Sequence, residues 1–291
     1  MDVLARSENG AVRAGSVGSN VPHSSNGALL DTERPALDTE QPASVWSHDG
    51  QIVVVTLQRF DGWTNRLWAF SQMGLAKAAL ARIPGMSFFK VMGTGGGTGF
   101  STVPNWGVVA ILSVWSGGEA AIKGLAAPVF AERNRRASET AHIVLACTSS
   151  RGRWSRQEAF EPCATLRDGE PVAALTRATV KPRALMRFWR RVPAIATAID
   201  RESESLFSIG MGEVPYLHQV TFSVWGDGEA MRRFSRESAT HGEAVRCVAE
   251  EGWFSEQLFA RFRPLGASGT WEGRPASERV GLPSRNAAQP A

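Results

Sequence analysis

Tyrosine is almost missing from this chain. A single residue, Tyr216, stands against ten tryptophans and fourteen phenylalanines, so nearly all of the aromatic surface is apolar. Cysteine is scarce too. Cys147, Cys163 and Cys247 show no CxxC spacing. They are too few for a four-thiolate cluster and too scattered for a disulfide framework, and a reducing cytoplasm is the expected compartment. No run of about 18 apolar residues occurs, so no membrane-crossing helix is expected. The N-terminus carries Gly, Ser, Asn and acidic residues without an apolar h-region, which argues against a signal peptide. The net charge of +4 is small for 291 residues. Much of the surplus is arginine in clusters: Arg133, Arg135 and Arg136; Arg187, Arg190 and Arg191; Arg232 and Arg233. With no nucleic-acid motif beside them, they read as solvated faces that attract acidic partners or anionic lipid heads, and no nucleic acid is expected.

What is present is a soluble globular composition, 43% hydrophobic and 21% charged, in a length that suits about two domains or one large one. Residues 1–47 are poor in aliphatics and are predicted to be a disordered arm, and residues 275–291 a frayed tail. Between them, Ile52 to Leu57 reads as a β-branched strand and Asp61-Gly62 as a turn. Thr64 is the expected N-cap of a long helix to about Ile83, which Pro84-Gly85 stops. Strands follow over Met86 to Met92 and Val108 to Trp115, then a charged helix from Glu119 to about Ala137, and a short strand over Ile143 to Ala146. The pattern restarts with a strand over Val172 to Val180 and a helix over Arg183 to Ile199, kinked at Pro193. Strands over Leu206 to Met211 and Leu217 to Trp225 come next. Helical pieces from Glu229 to Arg236 and from His241 then lead to a last strand with Leu258, Ala260 and Phe262 on one side. Each half, 48–165 and 166–274, is β-α-β-β-α-β, the ferredoxin-like order. Ser113-Val114-Trp115 with Gly118-Glu119-Ala120 recurs as Ser223-Val224-Trp225 with Gly228-Glu229-Ala230, and Gly152-Arg153-Trp154 is echoed by Gly269-Thr270-Trp271. The expected class is therefore α+β: tandem ferredoxin-like halves packed sheet to sheet as a dimeric-type α+β barrel within one chain, with a cavity inside and between them.

Five histidines are few enough to take singly. His23 and His48 lie in or beside the arm. His142 closes one ExxH, but a di-iron site needs two such motifs and further carboxylates. His218 opens a strand. His241 shares a helical face with Ala244, Val245 and Val248, and that face is apolar. Its counterpart in the first half is Ala131, so only one half carries the imidazole. On pattern alone His241 is either a packed core residue or the ligand of a single site; a neutral imidazole is the proximal ligand of many haem proteins. The loop Gly93 to Gly99 has Thr98 where a dinucleotide fingerprint needs its third glycine, and a strand follows, so it reads as a strand connection, plain or closing over a pocket. Phe88, Phe89, Phe100, Trp106, Trp115, Phe222 and Trp225 lie on or beside central strands. They either fill a core or line a large apolar pocket. Arg261 and Arg263 alternate with Phe262 and would pair with haem propionates or with solvent. There is no GxSxG, no GK[ST], no HxxxH box and no cytochrome P450 cysteine signature, and no catalytic triad can be assigned.

Several separate stretches carry a resemblance. Trp68-Ala69-Phe70-Ser71-Gln72-Met73, the glycine loop through Phe100 and Val103-Pro104-Asn105, His241-Gly242-Glu243-Ala244-Val245-Arg246, Gly252-Trp253-Phe254-Ser255-Glu256 and Gly269-Thr270-Trp271-Glu272-Gly273 resemble the spheroidene monooxygenases, over about Ile52 to Arg274. The resemblance implies a haem-dependent, oxygen-using enzyme of carotenoid biosynthesis, which hydroxylates one carbon of an acyclic carotenoid twice to give a ketone. It implies a haem, with His241 as the metal ligand; the reading adopted is one haem b (iron), with Arg261 and Arg263, from their place on the last strand, as the residues expected beside it, and an apolar tunnel on the distal side. Electrons would come from a partner such as ferredoxin, docked by the arginine clusters. Peripheral contact with a membrane is a further expectation. The long N-terminal arm departs from the family pattern. Two rivals keep part of this reading: a haem enzyme of dehydratase or peroxidase type, and a non-enzymatic barrel that binds an apolar ligand without metal.

Overall fold

The computed structural model of the protein describes residues 43–96, 101, 103–191, 204–237 and 251–283. Eight strands form an antiparallel barrel: β1 (Ile52–Arg59), β2 (Met86–Gly95), β3 (Pro104–Trp115), β4 (Glu139–Gly152), β5 (Val172–Val180), β6 (Ser205–Gly212), β7 (His218–Trp225) and β8 (Phe254–Trp271). Their order is β4-β1-β3-β2-β6-β7-β5-β8, and β8 returns to pair with β4. β8 is long because it serves two neighbours, β5 along residues 254–262 and β4 along residues 258–269. Strand order within residues 52–152 is the same as within 172–271: the fourth strand, then the first, the third and the second.

Which residues face the barrel follows from the alternation of side chains along a strand. Val53, Val55 and Leu57 point inward, as do Leu175, Val220, Phe222, Val224, Leu258, Ala260 and Phe262. Ile52 and Val54 point outward into a second core, made with helices α1 (Ala43–Trp46), α2 (Trp63–Leu75), α3 (Lys77–Leu80), α4 (Gly118–Leu125) and α5 (Pro128–Arg136). β1 is thus buried on both faces, which is why its sequence is a continuous aliphatic run. β7 keeps strict alternation, with Val220, Phe222 and Val224 in and Thr221 and Ser223 out.

Both ends of the barrel are closed by one device. Gly152 and Gly269 adopt positive φ (99° and 77°), and a Cβ there would lie 2.2 Å from the Gln257 carbonyl oxygen and 2.0 Å from that of Thr140. Only glycine fits so close a strand crossing. Two residues later Trp154 and Trp271 turn into the interior core. Arg177 lies over the Trp154 ring at 5.8 Å and Arg59 over the Trp271 ring at 4.8 Å. Glu256 accepts the Ser155 and Arg156 N–H groups, and Glu139 accepts that of Gly273.

This packing corrects several expectations. Among the described residues the barrel interior is filled by side chains and plugged at both ends, so the cavity expected inside it is replaced by core. Phe88 and Phe222 are packing residues there, while Trp115 and Trp225 face outward. The helix after β1 is capped at Gly62, not Thr64, and breaks at Ala76 into α2 and α3. The helix from Glu119 is two helices, with Pro128 opening the second. The strand expected over Ile143 to Ala146 is the centre of the 14-residue β4. The tail is folded as far as residue 283: a short helix, α6 (Ala276–Arg279), buries Ala276 and Val280 in the interior core. The body also begins before residue 48, because Val45 of α1 is buried in the outer core. Composition averages missed both, since each anchor is one or two apolar side chains in a polar stretch. The chain is helical from 182 to 191, and Pro193 lies outside the described residues.

Candidate functional site

His241 and its helical stretch lie outside the described residues; the sheet beneath that half does not. Four strands give it an outer face about 14 Å across at the usual strand spacing. One row of paired residues crosses it as Arg261, Ala174, Ser223 and Ser208, and the next as Phe259, Thr176, Thr221 and Gly210. The corresponding rows of the other half read Val144, Val54, Ser113 and Phe89, then His142, Thr56, Ile111 and Val91. Valine is replaced by alanine, phenylalanine by serine, isoleucine by threonine and valine by glycine. The serine in each row is kept for one reason. Trp115 Nε1 donates to Ser113 Oγ at 2.9 Å, and Trp225 Nε1 donates to Ser223 Oγ at 2.9 Å.

The consequence is a difference in cover. In the first half these side chains are buried under α2 to α5, apart from half-buried Phe89. In the second half Thr176 is exposed, and Ala174, Ser208 and Thr221 are half-buried. Two small apolar clusters border this floor. Val172 and Trp225 join Met231 and Phe234 of helix α7 (Gly228–Glu237) at one end, and Val180 joins Ala184 and Trp253 at the other. Arg261 stands exposed on the floor's first row, and no ion pair to it is present among the described residues. Arg263 is next on the same side of β8, and its Nε lies 3.1 Å from Glu170 Oε2. The two arginines therefore share a face, with one held by a carboxylate.

The remaining candidates have structural explanations. His142 is buried in β4 and its Nδ1 is 2.9 Å from Thr56 Oγ1; burial pushes its pKa down to about 4, so it is a neutral core residue near neutrality. His218 lies in a charged network at the Trp154 end of the barrel. There Glu213 receives Lys90 Nζ at 2.9 Å and Trp154 Nε1 at 2.6 Å, with His218 Nδ1 at 3.7 Å, while Arg177 pairs with Glu256. Burial pushes the Glu213 carboxyl up, but the bonds from Lys90 and Trp154 outweigh it and leave it below the usual carboxylate range. Burial also holds His218 below its ordinary value. Among the described residues no group of three His, Cys, Asp or Glu side chains is placed to hold a metal. Sequence reasoning missed the floor, although comparing Ile111 with Thr221 and Val109 with Gln219 at the spacing of the repeated motifs would have signalled it. Nothing in the sequence pointed to the Lys90–Glu213 network.

No family model matches the chain. It is 42% identical over 253 residues to the spheroidene monooxygenase of Cereibacter sphaeroides, covering 83% of this chain and 78% of that protein. The chain belongs to the spheroidene monooxygenase family. It is accordingly an oxidoreductase, an oxygen-dependent monooxygenase. The family member of Rhodobacter capsulatus is 41% identical over 234 residues, covering 79% of this chain and 97% of its own; that of Rubrivivax gelatinosus is 34% identical over 210 residues, covering 72% and 80%. Among solved structures, an aldoxime dehydratase is 10% identical with a TM-score of 0.52, covering 75% of this chain and 82% of its own. An aldoxime dehydratase co-crystallised with butyraldoxime is 11% identical with a TM-score of 0.51. At such identities the likeness is one of barrel fold alone.

Proposed function

We propose that the protein oxidises an acyclic carotenoid such as spheroidene near its chain end, by two successive hydroxylations of one carbon, with a haem b lying on the open face of the second half. The names of the family members support the substrate class. The observation that carries the placement is the stripped floor: among the described residues, a sheet face with Ala174, Thr176, Ser208, Gly210 and Thr221 lies in the half that contains His241. The chain would then be a tandem of ferredoxin-like repeats, a reading supported by the shared strand order, the repeated Trp–Ser bond and the matching end plugs. One half would carry large apolar side chains under its helices, and the other small side chains on which a ligand would rest.

The residues present fit such a group. A flat apolar macrocycle needs a face of small side chains with apolar borders, and the Ala174, Thr176, Ser208, Gly210 and Thr221 floor between the Trp225 and Trp253 clusters offers both. His241 would hold the iron, and Arg261 would neutralise a propionate at the margin, with Arg263 contributing charge from its place beside Glu170. When bound, the haem supplies activation of oxygen. The chain's own tasks are then to exclude water, through Phe234 and Trp225 at one end and Trp253 and Phe254 at the other. The hydroxyls of Thr176 and Thr221, adjacent across β5 and β7, would be available to donate hydrogen bonds to a polar atom on that face. Electrons would arrive from an acidic partner such as ferredoxin, for which the exposed Arg190 and Arg232 offer positive charge.

The test is protein made with haem supplied, then given an acyclic carotenoid, oxygen and reduced ferredoxin. The expected result is a Soret band of one haem per chain and products heavier by one oxygen, then the ketone. His241→Ala should lose most of the Soret absorbance while circular dichroism stays unchanged. Folded wild-type protein that takes up no haem would refute the cofactor, and haem protein that leaves the carotenoid unchanged would refute the substrate.

A further inference from the structure

A second feature lies on the other half, away from the floor. Helix α2 turns Ala69 and, in part, Trp68 and Met73 toward the outer core. Its opposite side should be polar in a surface helix. It carries instead Trp63, Leu67 and Phe70, which are 76%, 55% and 49% exposed, one above another at helical spacing. The patch continues onto the β2–β3 hairpin, where Trp106 is 52% exposed and its ring centroid lies 4.7 Å from that of Phe70. Leu75 at the end of α2 and Val103 in the hairpin are more exposed than Phe70 as well. Apolar residues scattered singly over a surface need no explanation, but a contiguous aromatic face does.

The charge in the stretch that carries the patch is mostly positive. No Asp or Glu occurs between Asp61 and Glu119, where a chain with 28 acidic residues in 291 would place about five. Arg66, Lys77 and Arg82 are exposed in that stretch. Asp61, just before the helix, pairs with Arg66 at 3.9 Å, which leaves Lys77 and Arg82 as the cations without an acidic neighbour in sequence. An apolar stripe with tryptophans and a net positive border has the chemistry of a helix lying in the headgroup layer of an anionic bilayer. A second copy of the chain suits it less, because mating two such faces sets cation against cation. No helix among the described residues is long and apolar enough to cross a membrane, so contact would be lateral. We infer that α2, together with Val103 just before β3 and Trp106 near its start, forms the surface by which the protein docks on an anionic lipid bilayer. The motive rests on the carotenoid reading above, since such a hydrocarbon dissolves in a bilayer and not in water. The route to the floor is short in topology: β2 borders β6, which carries Ser208 and Gly210, and the two strands are joined by only two residue pairs, Gly93 with Gly212 and Thr94 with Met211.

The experiment is sedimentation of the full-length protein with vesicles, either pure phosphatidylcholine or phosphatidylcholine with phosphatidylglycerol. Wild-type protein should bind the anionic vesicles, and less so as salt rises. Trp63→Ser with Leu67→Gln should weaken partitioning about tenfold or more, at unchanged circular dichroism, because both side chains are exposed. Lys77→Glu with Arg82→Glu should abolish the preference for anionic lipid. No sedimentation of the wild type, or equal sedimentation of wild type and Trp63→Ser/Leu67→Gln, overturns the inference. So does a wild-type dimer in solution that the same pair makes monomeric without affecting lipid binding. Turnover of detergent-dispersed carotenoid is measured alongside: vesicle docking without turnover separates a wrong substrate from a wrong surface.

Discussion

Lowering the pH should uncover the burial of His142. The imidazole is 4% exposed, and its Nδ1 meets Thr56 Oγ1 at 2.9 Å. Burial pushes its folded-state pKa down to about 4, whereas the unfolded chain takes up the proton near the ordinary value of about 6.5. The folded pKa lies below the unfolded one, so as pH falls the unfolded state binds the proton first. The group's contribution is complete above about 6.5, declines from there to about 4, and falls no further once the folded state is protonated too. At 1.36 kcal/mol per pH unit the whole decline is about 3 kcal/mol, and about 2 kcal/mol of it is lost by pH 5. His142→Leu removes the titration. It leaves the buried Thr56 hydroxyl without its partner, a loss of about 1–3 kcal/mol at pH 8. Urea unfolding followed by circular dichroism at pH 8 and pH 5 should show the variant weaker at pH 8 and the two proteins converging or crossing at pH 5. Every other carboxylate and imidazole is common to both, so the difference isolates this group. If wild-type protein loses no more stability over that range than His142→Leu, the assignment of a neutral, buried His142 is wrong.

Refilling the floor is the companion to the His241 test. Ala174→Val with Thr221→Ile restores the side chains that the first half carries at those places. The overpacking penalty of about 1–3 kcal/mol should weaken haem binding roughly 5- to 140-fold, read from a Soret titration; undiminished affinity in a folded variant would move the haem elsewhere. Truncation separates the arm from the body. Deleting residues 1–42 should leave the urea midpoint unchanged, whereas deleting 1–47 also strips buried Val45, which should lower stability by about 1.5–3 kcal/mol, and equal midpoints would show that α1 adds nothing.

The order of strands was legible because periodicity and the repeated Ser-Val-Trp motif are local signals. β1 is a buried aliphatic run, β7 a clean alternation, and both lie where the sequence places them. Boundaries were less legible. β4 extends to Glu139 and Gly152 because β8 pairs along nearly all of it, and no local pattern announces a partner more than a hundred residues away. The aromatic residues misled for a related reason. Phe88, Trp115, Phe222 and Trp225 alternate on their strands whether the space they face is a pocket or a core, and only the closing of β8 on β4 decides it. Of the proposed site residues, Arg261 and Arg263 were legible as a pair on one face, but Glu170, which engages one of them, comes from a loop with no motif.

The asymmetry between the two halves of the barrel bears on where the proposed ligand would sit. A sheet face of Val54, Phe89, Ile111 and Val91 must be covered, and α2 to α5 cover it. Replace those four by Ala174, Ser208, Thr221 and Gly210 and the hydrophobic demand for cover falls, because each lost methyl or ring removes apolar area whose burial would have held a helix down. A half that needs its helices less is a half in which a ligand can stand between helix and sheet, and whatever binds there adds to stability through its own affinity. The first half meanwhile keeps its helices firmly packed, which lets α2 present Trp63, Leu67 and Phe70 outward without losing its anchorage: Ala69, Trp68 and Met73 hold it from below. The half whose sheet face packs against α2 to α5 has a helix to offer a surface; under the proposed function, the half with small side chains on its sheet face would have a floor to offer a cofactor.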